Sequence, residues 1–246
     1  MKTIAVVQSR YGSARLRGKA VKQIAGRPML AHVLTRAKAI RGIGMVVLAT
    51  SDKDQDTTLT WVADECDVPV IRGCEHDVLE RFCLAAAAFD ADVIMRITGD
   101  CPLLAPDVCE RVLRAYVNDA VDLGFGVGPF VEFVSNDTTC SGFPDGMDCE
   151  VFSRRLLYAA QSAVPRLNGR RSDENADTRD REHVTTWMRR TQPQRVIDAD
   201  DDWRHVKLSV DCDDDLERVR RIFGFVRDDD LSLAATMAAW KLACTD

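Results

Sequence analysis

Residues 8–19, Gln8-Ser9-Arg10-Tyr11-Gly12-Ser13-Ala14-Arg15-Leu16-Arg17-Gly18-Lys19, interleave cations with glycine and serine. A triphosphate needs such surroundings. Glycine lets main-chain N–H groups approach phosphate oxygens, arginine forks grip them, and a lysine adds a point charge. Arg10, Arg15, Arg17 and Lys19, interleaved with Gly12, Ser13 and Gly18, are therefore a candidate phosphate cradle. The run is not a Walker loop, because five residues separate Gly12 from Gly18 and Ala20 stands where that motif has a magnesium-binding hydroxyl. Taken alone, the same residues also read as a solvated basic turn.

Two carboxylates offer a second chemistry. Asp100 follows the apolar run Val93–Ile97 through Thr98 and Gly99, and Pro102 stops any simple continuation of a strand. Asp211 follows Lys207–Val210 in the same way, ahead of Asp213, Asp214 and Asp215. Each alone caps a turn or helix as readily as it binds metal. Meeting above one sheet edge, the pair would hold Mg²⁺, which takes one or two carboxylates plus substrate phosphates. A third group, Asp145, Asp148 and Glu150 in the stretch Pro144–Val151, leads from a turn into a strand. Arg181 and His183 flank Glu182 at a helix start. These residues suit either structural turns and caps or the grip on an anionic second substrate.

The elements that must position these groups alternate between strand-length apolar runs and helical periodicity, the pattern of a parallel sheet covered by helices. Strands are expected at Ile4–Val7, Met45–Ala49, Val68–Ile71, Val93–Ile97, Val131–Val134, Arg195–Asp198 and Val206–Val210. Helices are expected from Met29 behind Pro28, and over Asp56–Cys66, Asp77–Phe89, Pro106–Asn118, Glu182–Arg190, Leu216–Phe223 and Leu231–Ala243. Mixed strand directions are expected in the glycine-rich middle. The nearly wholly polar segment 166–181 reads as a mobile loop inside a single α/β domain spanning 1–246.

Open sheets of this class bind ligands beyond the carboxyl ends of their strands, which favours the phosphate reading of the basic loop. The net charge of −6 over 246 residues argues against general nucleic-acid binding. No run approaches the ~18 apolar residues of a membrane span, and the first residues read as a strand, not a signal peptide. The nine cysteines contain no CxxC pair and are odd in number, which suits reduced thiols in the cytoplasm. The four histidines lie outside zinc spacings. A dehydrogenase is disfavoured because Gly124, Gly126 and Gly128 lack the GxGxxG spacing.

In combination, QSRYGSARLRGK (8–19), LATSD (48–52), VIRGCEHDVLERF (70–82), RITGDCPL (96–103), FPDGMDCEVF (143–152), REHVT (181–185) and VDCDDDLERVRRIF (210–223) resemble a cytidylyltransferase-like family. That family includes spore coat polysaccharide biosynthesis protein F and, more distantly, synthetases that activate keto-deoxy-octulosonate and sialic acids with CTP. The resemblance implies a Rossmann-like nucleotide-diphospho-sugar transferase fold, a mixed, mostly parallel sheet flanked by helices, and usually a homodimer. It implies CTP and Mg²⁺, with CMP passing to a sugar acid or phosphonate. Arg10, Arg15 and Lys19 would hold the triphosphate and act with Asp100 in catalysis. Gln8, Gly12, Ser13 and Thr98 would line the nucleotide site, Thr50 and Arg72 would surround base and ribose, and Asp100 with Asp211 would bind the metal. The acceptor would lie near Asp145, Asp148, Glu150, Arg181 and His183. Arg17 departs from a usual proline and Cys212 from a common threonine. The rival readings are a metal-dependent glycosyltransferase, disfavoured by a single acid in Gly99–Pro102, and a non-catalytic nucleotide-binding subunit.

Overall fold

A computed structural model describes residues 1–13, 15–122, 131–165 and 176–244. Four apolar runs become parallel strands: β1 (Thr3–Gln8), β4 (Met45–Ser51), β5 (Val70–Gly73) and β6 (Val93–Thr98). They are mainly apolar because both sheet faces are covered. Ile4 and Val6 join one core cluster while Ala5 and Val7 join another, the two-residue alternation of a strand between two layers. Between β1 and β4, a small hairpin of β2 (Gln23–Ile24) and β3 (Arg27–Pro28) runs straight into helix α1 (Met29–Lys38).

One face carries α1, α2 (Thr57–Glu65) and α4 (Pro106–Asp122). The other carries α3 (Val78–Ala88) and α5 (Arg154–Ala163). Asp77 caps α3 by accepting the Glu80 N–H at 2.9 Å, and Ser153 caps α5 by accepting from Leu156 N at 2.9 Å. The sheet continues as β7 (Phe133–Ser135), β8 (Cys149–Ser153) and β9 (Arg195–Val196), in the order β5-β4-β1-β6-β8-β7-β9. β8 runs antiparallel to β6, so the middle of the chain mixes directions as its composition suggests. A third apolar cluster joins α8 (Asp213–Phe223) and α9 (Leu233–Ala243) to Leu16, Ile24 and Met29 below the basic loop. Among the described residues, no helix is long and apolar enough to cross a membrane.

Several sequence expectations need correction. Val206–Val210 forms no regular strand and contributes one isolated bridge, Lys207 to Asp145. The helix expected over Glu182–Arg190 is two, α6 (Ala176–Glu182) and α7 (Thr186–Thr191), separated by Val184 at φ 54°. Helix α5 lay unrecognised behind β8. Of the segment 166–181, residues 166–175 lie outside the described residues, as do the glycines of 124–128. Residues 176–181, expected in a loop, are helical instead.

The physical reason is Arg181, which is 1% exposed. Its Nε donates to Pro165 O at 3.0 Å, its Nη2 to Gln161 O and Val164 O, and its Nη1 pairs with Asp77 at 3.4 Å. These bonds tie α6 to the end of α5 and to the start of α3. Arg181→Ala removes them and leaves Asp77 buried without its charge partner. It is expected to lower unfolding free energy by about 3 kcal/mol, measured by urea titration.

Candidate functional site

The topology places the site. The chain leaves β1 toward β4 on one side and later returns to pair β6 on the other, so the carboxyl ends of β1 and β6 flank the switch point where open α/β sheets bind ligands. The two strands pair from Thr3–Val93 to Gln8–Thr98. Gly99 N then donates to Gln8 O at 2.8 Å. A Cβ on Gly99 would stand 2.7 Å from Ser9 Cβ, so only glycine permits this approach.

The basic loop folds over that edge and is anchored from below. Tyr11 N donates to Asp56 Oδ1 at 2.6 Å, while Ser13 N and Gly18 N both donate to Tyr11 O at 2.9 Å. Gly18 takes φ 69°, and Arg17 lies over the Tyr11 ring at 5.9 Å and reaches Gln55 Oε1 at 3.2 Å. Arg17 thus braces the loop from a position where the resembling family has proline. The loop delivers Lys19, whose ammonium donates to Asp100 Oδ2 at 3.0 Å, Asp211 Oδ1 at 3.3 Å and Val210 O at 2.6 Å. Arg15 joins from outside, with Nη2 2.8 Å from Asp211 Oδ1. Burial pushes the Asp100 carboxyl up, but Lys19 and the Thr98 hydroxyl outweigh it and hold the group below its ordinary range.

These residues open into a cavity of about 380 Å³ that also meets Gln8, Ser9, Arg10, Ser13, Arg81, Arg96, Thr98, His183 and Glu182. Arg10 pairs with Glu182 at 2.9 Å. Of the nucleotide candidates, Gln8, Arg10, Ser13, Arg15, Lys19, Thr98 and Asp100 are brought together there, as is Asp211. Gly12 lies beside the cavity, where a Cβ would come within 3.0 Å of Glu75 Oε1. Thr50 is fully buried in β4, with its hydroxyl unpartnered. Arg72 braces the end of β4, donating to Ser51 O at 2.9 Å and Lys53 O at 2.8 Å.

The acceptor candidates separate. Only His183 lines the cavity. Arg181 is the buried strap described above. Asp145 accepts the Ser209 hydroxyl at 2.8 Å, and Asp148 accepts from Thr138 Oγ1 at 2.8 Å and Gly146 N at 3.2 Å. Burial pushes the Asp148 carboxyl up. Glu150 stands one layer behind. It receives Arg96 Nη1 at 2.5 Å, Arg189 Nη2 at 2.6 Å and the Thr185 hydroxyl at 3.0 Å, and Arg96 Nε in turn reaches Gln8 Oε1 at 2.9 Å. The residues that sequence reading missed are Arg81, Arg96 and Glu182. A charged residue inside the apolar strand Val93–Thr98 is the signal that Arg96 carried.

Asp100 and Asp211 converge on one point, now held by the Lys19 ammonium. Among the described residues, no cluster of three or more His, Cys, Asp or Glu could hold a metal alone. The pair therefore fits a cation that draws its other ligands from bound phosphates.

Strand order, flanking helices and switch-point cavity define a Rossmann-like nucleotidyltransferase fold. Residues 4–196 match the family described as Cytidylyltransferase, and the chain belongs to that family. A cytidylyltransferase from Leptospira borgpetersenii serovar Hardjo-bovis superposes with a TM-score of 0.82 at 26% identity, covering 98% of this chain and 94% of that one. The spore coat polysaccharide biosynthesis protein SpsF of Bacillus subtilis is 25% identical over 89% of this chain and 85% of its own length. A 3-deoxy-manno-octulosonate cytidylyltransferase of Anaeromyxobacter sp. strain K is 34% identical over 112 residues, 45% of each chain. The chain spans about half the length of the first curated relatives it matches.

The Glu150 cluster yields a test. Burial pushes its carboxyl up, but Arg96 and Arg189 hold it below the ordinary 4.5. Its stabilisation is complete above that value and is lost as pH falls through the lower folded one. Glu150→Ala takes from Arg96 its carboxylate partner and leaves Arg189 with Asp137 alone, and should cost about 3 kcal/mol in urea titration at pH 7. The gap from wild type should narrow below pH 4.5.

Proposed function

We propose that this protein is a Mg²⁺-dependent cytidylyltransferase that moves CMP from CTP to a small acidic acceptor and releases pyrophosphate. The observation that carries the reading is the Lys19 ammonium, held between Asp100 and Asp211 with Arg10, Arg15 and Ser13 around the same cavity. The whole-length likeness to a cytidylyltransferase supports the choice of CTP. The octulosonate-specific relative supports a sugar acid as acceptor, with a phosphonate as the other small anion that suits these arginines.

In this reading an acceptor oxygen attacks the α-phosphorus, the bond to the bridging oxygen breaks, pyrophosphate leaves and the acceptor's proton passes to water. Little covalent chemistry falls to the protein; positioning and charge stabilisation do the work. Lys19, Arg15 and Arg10 exchange carboxylate partners for phosphate oxygens and stabilise the charge that grows on the leaving group. Gln8, Ser13 and Thr98 line the nucleotide's path, and His183 faces the acceptor. Asp100 and Asp211 would hold Mg²⁺, which supplies charge neutralisation at the phosphates when bound. Asp211 lies beyond the family match, so its place here rests on its contact with Lys19.

We further place the enzyme in the cytoplasm, where its nine unpaired thiols stay reduced, and as a homodimer, which sedimentation velocity tests.

The experiment is pyrophosphate release from each of the four NTPs against 3-deoxy-manno-octulosonate and a panel of other sugar acids and hydroxyalkylphosphonates, with and without Mg²⁺. CTP is expected to be preferred, and activity to need the metal. A preference for UTP overturns the cytidylyl assignment, and silence with every acceptor favours a non-catalytic binding subunit. Lys19→Ala and Asp100→Asn are each expected to lower kcat by roughly 10²–10³, while thermal melting shows a folded chain.

A further inference from the structure

Three arginines in the described residues are almost wholly buried: Arg36, Arg81 and Arg181. Two are satisfied. Arg36 Nη1 donates to Leu104 O at 3.1 Å and Leu231 O at 3.2 Å, and Arg181 has the carbonyls and carboxylate described above. Arg81 is 2% exposed, and its Nε and Nη1 meet no hydrogen-bond partner. A buried, unpaired guanidinium is costly, and native proteins rarely keep one without a use.

Its surroundings exclude an internal partner. Of the acids whose charge it feels, Asp56 is engaged by Tyr11 N and the Ser51 hydroxyl, and Glu75 lies 3.9 Å from Arg10. The side chain is nevertheless accommodated. Gly73, at the end of β5, leaves room for its stem, since a Cβ there would stand 3.1 Å from Arg81 Cγ. Arg81 lines the cavity beside Val78, Gln8, Arg96 and His183.

The cavity has two cationic poles. Lys19 and Arg15 meet Asp100 and Asp211 beside the loop that packs on α1 and α8. Arg81 rises from α3, on the opposite face of the sheet, the face to which Gln8, Arg96 and Thr98 also belong by strand alternation. With the triphosphate at the first pole, the acceptor is the remaining substrate group that carries a negative charge, and an anion offsets a buried guanidinium better than a neutral acceptor does.

We propose that Arg81 is the acceptor's anion receptor: its free N–H edge takes two oxygens of one oxyanion, a carboxylate or a phosphonate, as a fork that lysine could not reproduce. This rests on the cytidylyltransferase reading and adds to it the group that reads the acceptor's acid.

Isothermal titration of wild type and Arg81→Met with CTP, 3-deoxy-manno-octulosonate and methylphosphonate tests it, alongside thermal melting. One of the two anions is expected to bind wild type and to bind Arg81→Met roughly 10- to 100-fold more weakly. CTP affinity should be unchanged and the melting midpoint equal or higher, because an uncompensated buried charge is gone. Whichever anion responds identifies the source of the oxyanion. The proposal is overturned if neither anion binds wild type, or if the variant loses CTP affinity instead. It is equally overturned if the variant melts lower with anion affinity intact. Failure of CTP to bind wild type sinks the cytidylyltransferase reading and this one with it, whereas failure of the anions alone sinks only this one.

Discussion

The ammonium of Lys19 holds the site together. Its three acceptors come from positions 100, 210 and 211, and it reaches them only because the loop after β1 folds back across the sheet edge. That geometry requires β1 and β6 to be neighbours and their ends to approach as closely as Gly99 allows. It also requires the stretch before α8 to lie beside the end of β6, where Val210 N donates to Asp100 O at 2.9 Å. A lysine so chelated is fixed before any ligand arrives, so little order remains to be imposed on binding.

Behind this first layer stands a second, built of ion pairs and a charge-assisted hydrogen bond. Glu150 steadies Arg96, Arg96 steadies Gln8, and Arg189 ties Glu150 to Asp137. Each link crosses between elements, β8 to β6, β6 to β1 and α7 to β8. The antiparallel half of the sheet therefore does more than close the core. It fixes the rotamers of side chains that face the cavity from the parallel half.

The parallel strands and the place of the basic loop at their carboxyl edge were legible because their signals are local: an apolar run, a glycine-bearing cluster of cations, an aspartate just past a strand. Other features were illegible for an equally physical reason. Glu150, Asp145 and Arg181 carry the same residue types whether they face a substrate or a structural partner, and their partners lie at distances in sequence that no window spans. Arg81 lies on α3 next to Glu80, between Leu79 and Phe82, where two adjacent charges read as exposed surface. Val206–Val210 has the composition of a strand but makes a single bridge, to Asp145 in the turn-rich stretch before β8. The helical end of the polar segment was hidden because one arginine, not an apolar face, docks it.

The cations of the first pole carry their own counter-ions. Lys19 and Arg15 share Asp211, and Arg10 is matched with Glu182. A single orthophosphate at this pole must displace a carboxylate for each contact it gains with these three cations, an exchange of like for like. A chain of three phosphates competes for several cations at once, and after its first contact the remaining ones are intramolecular. Internal pairing of this kind weighs against small anions that make one contact at a time, without any wall to exclude them.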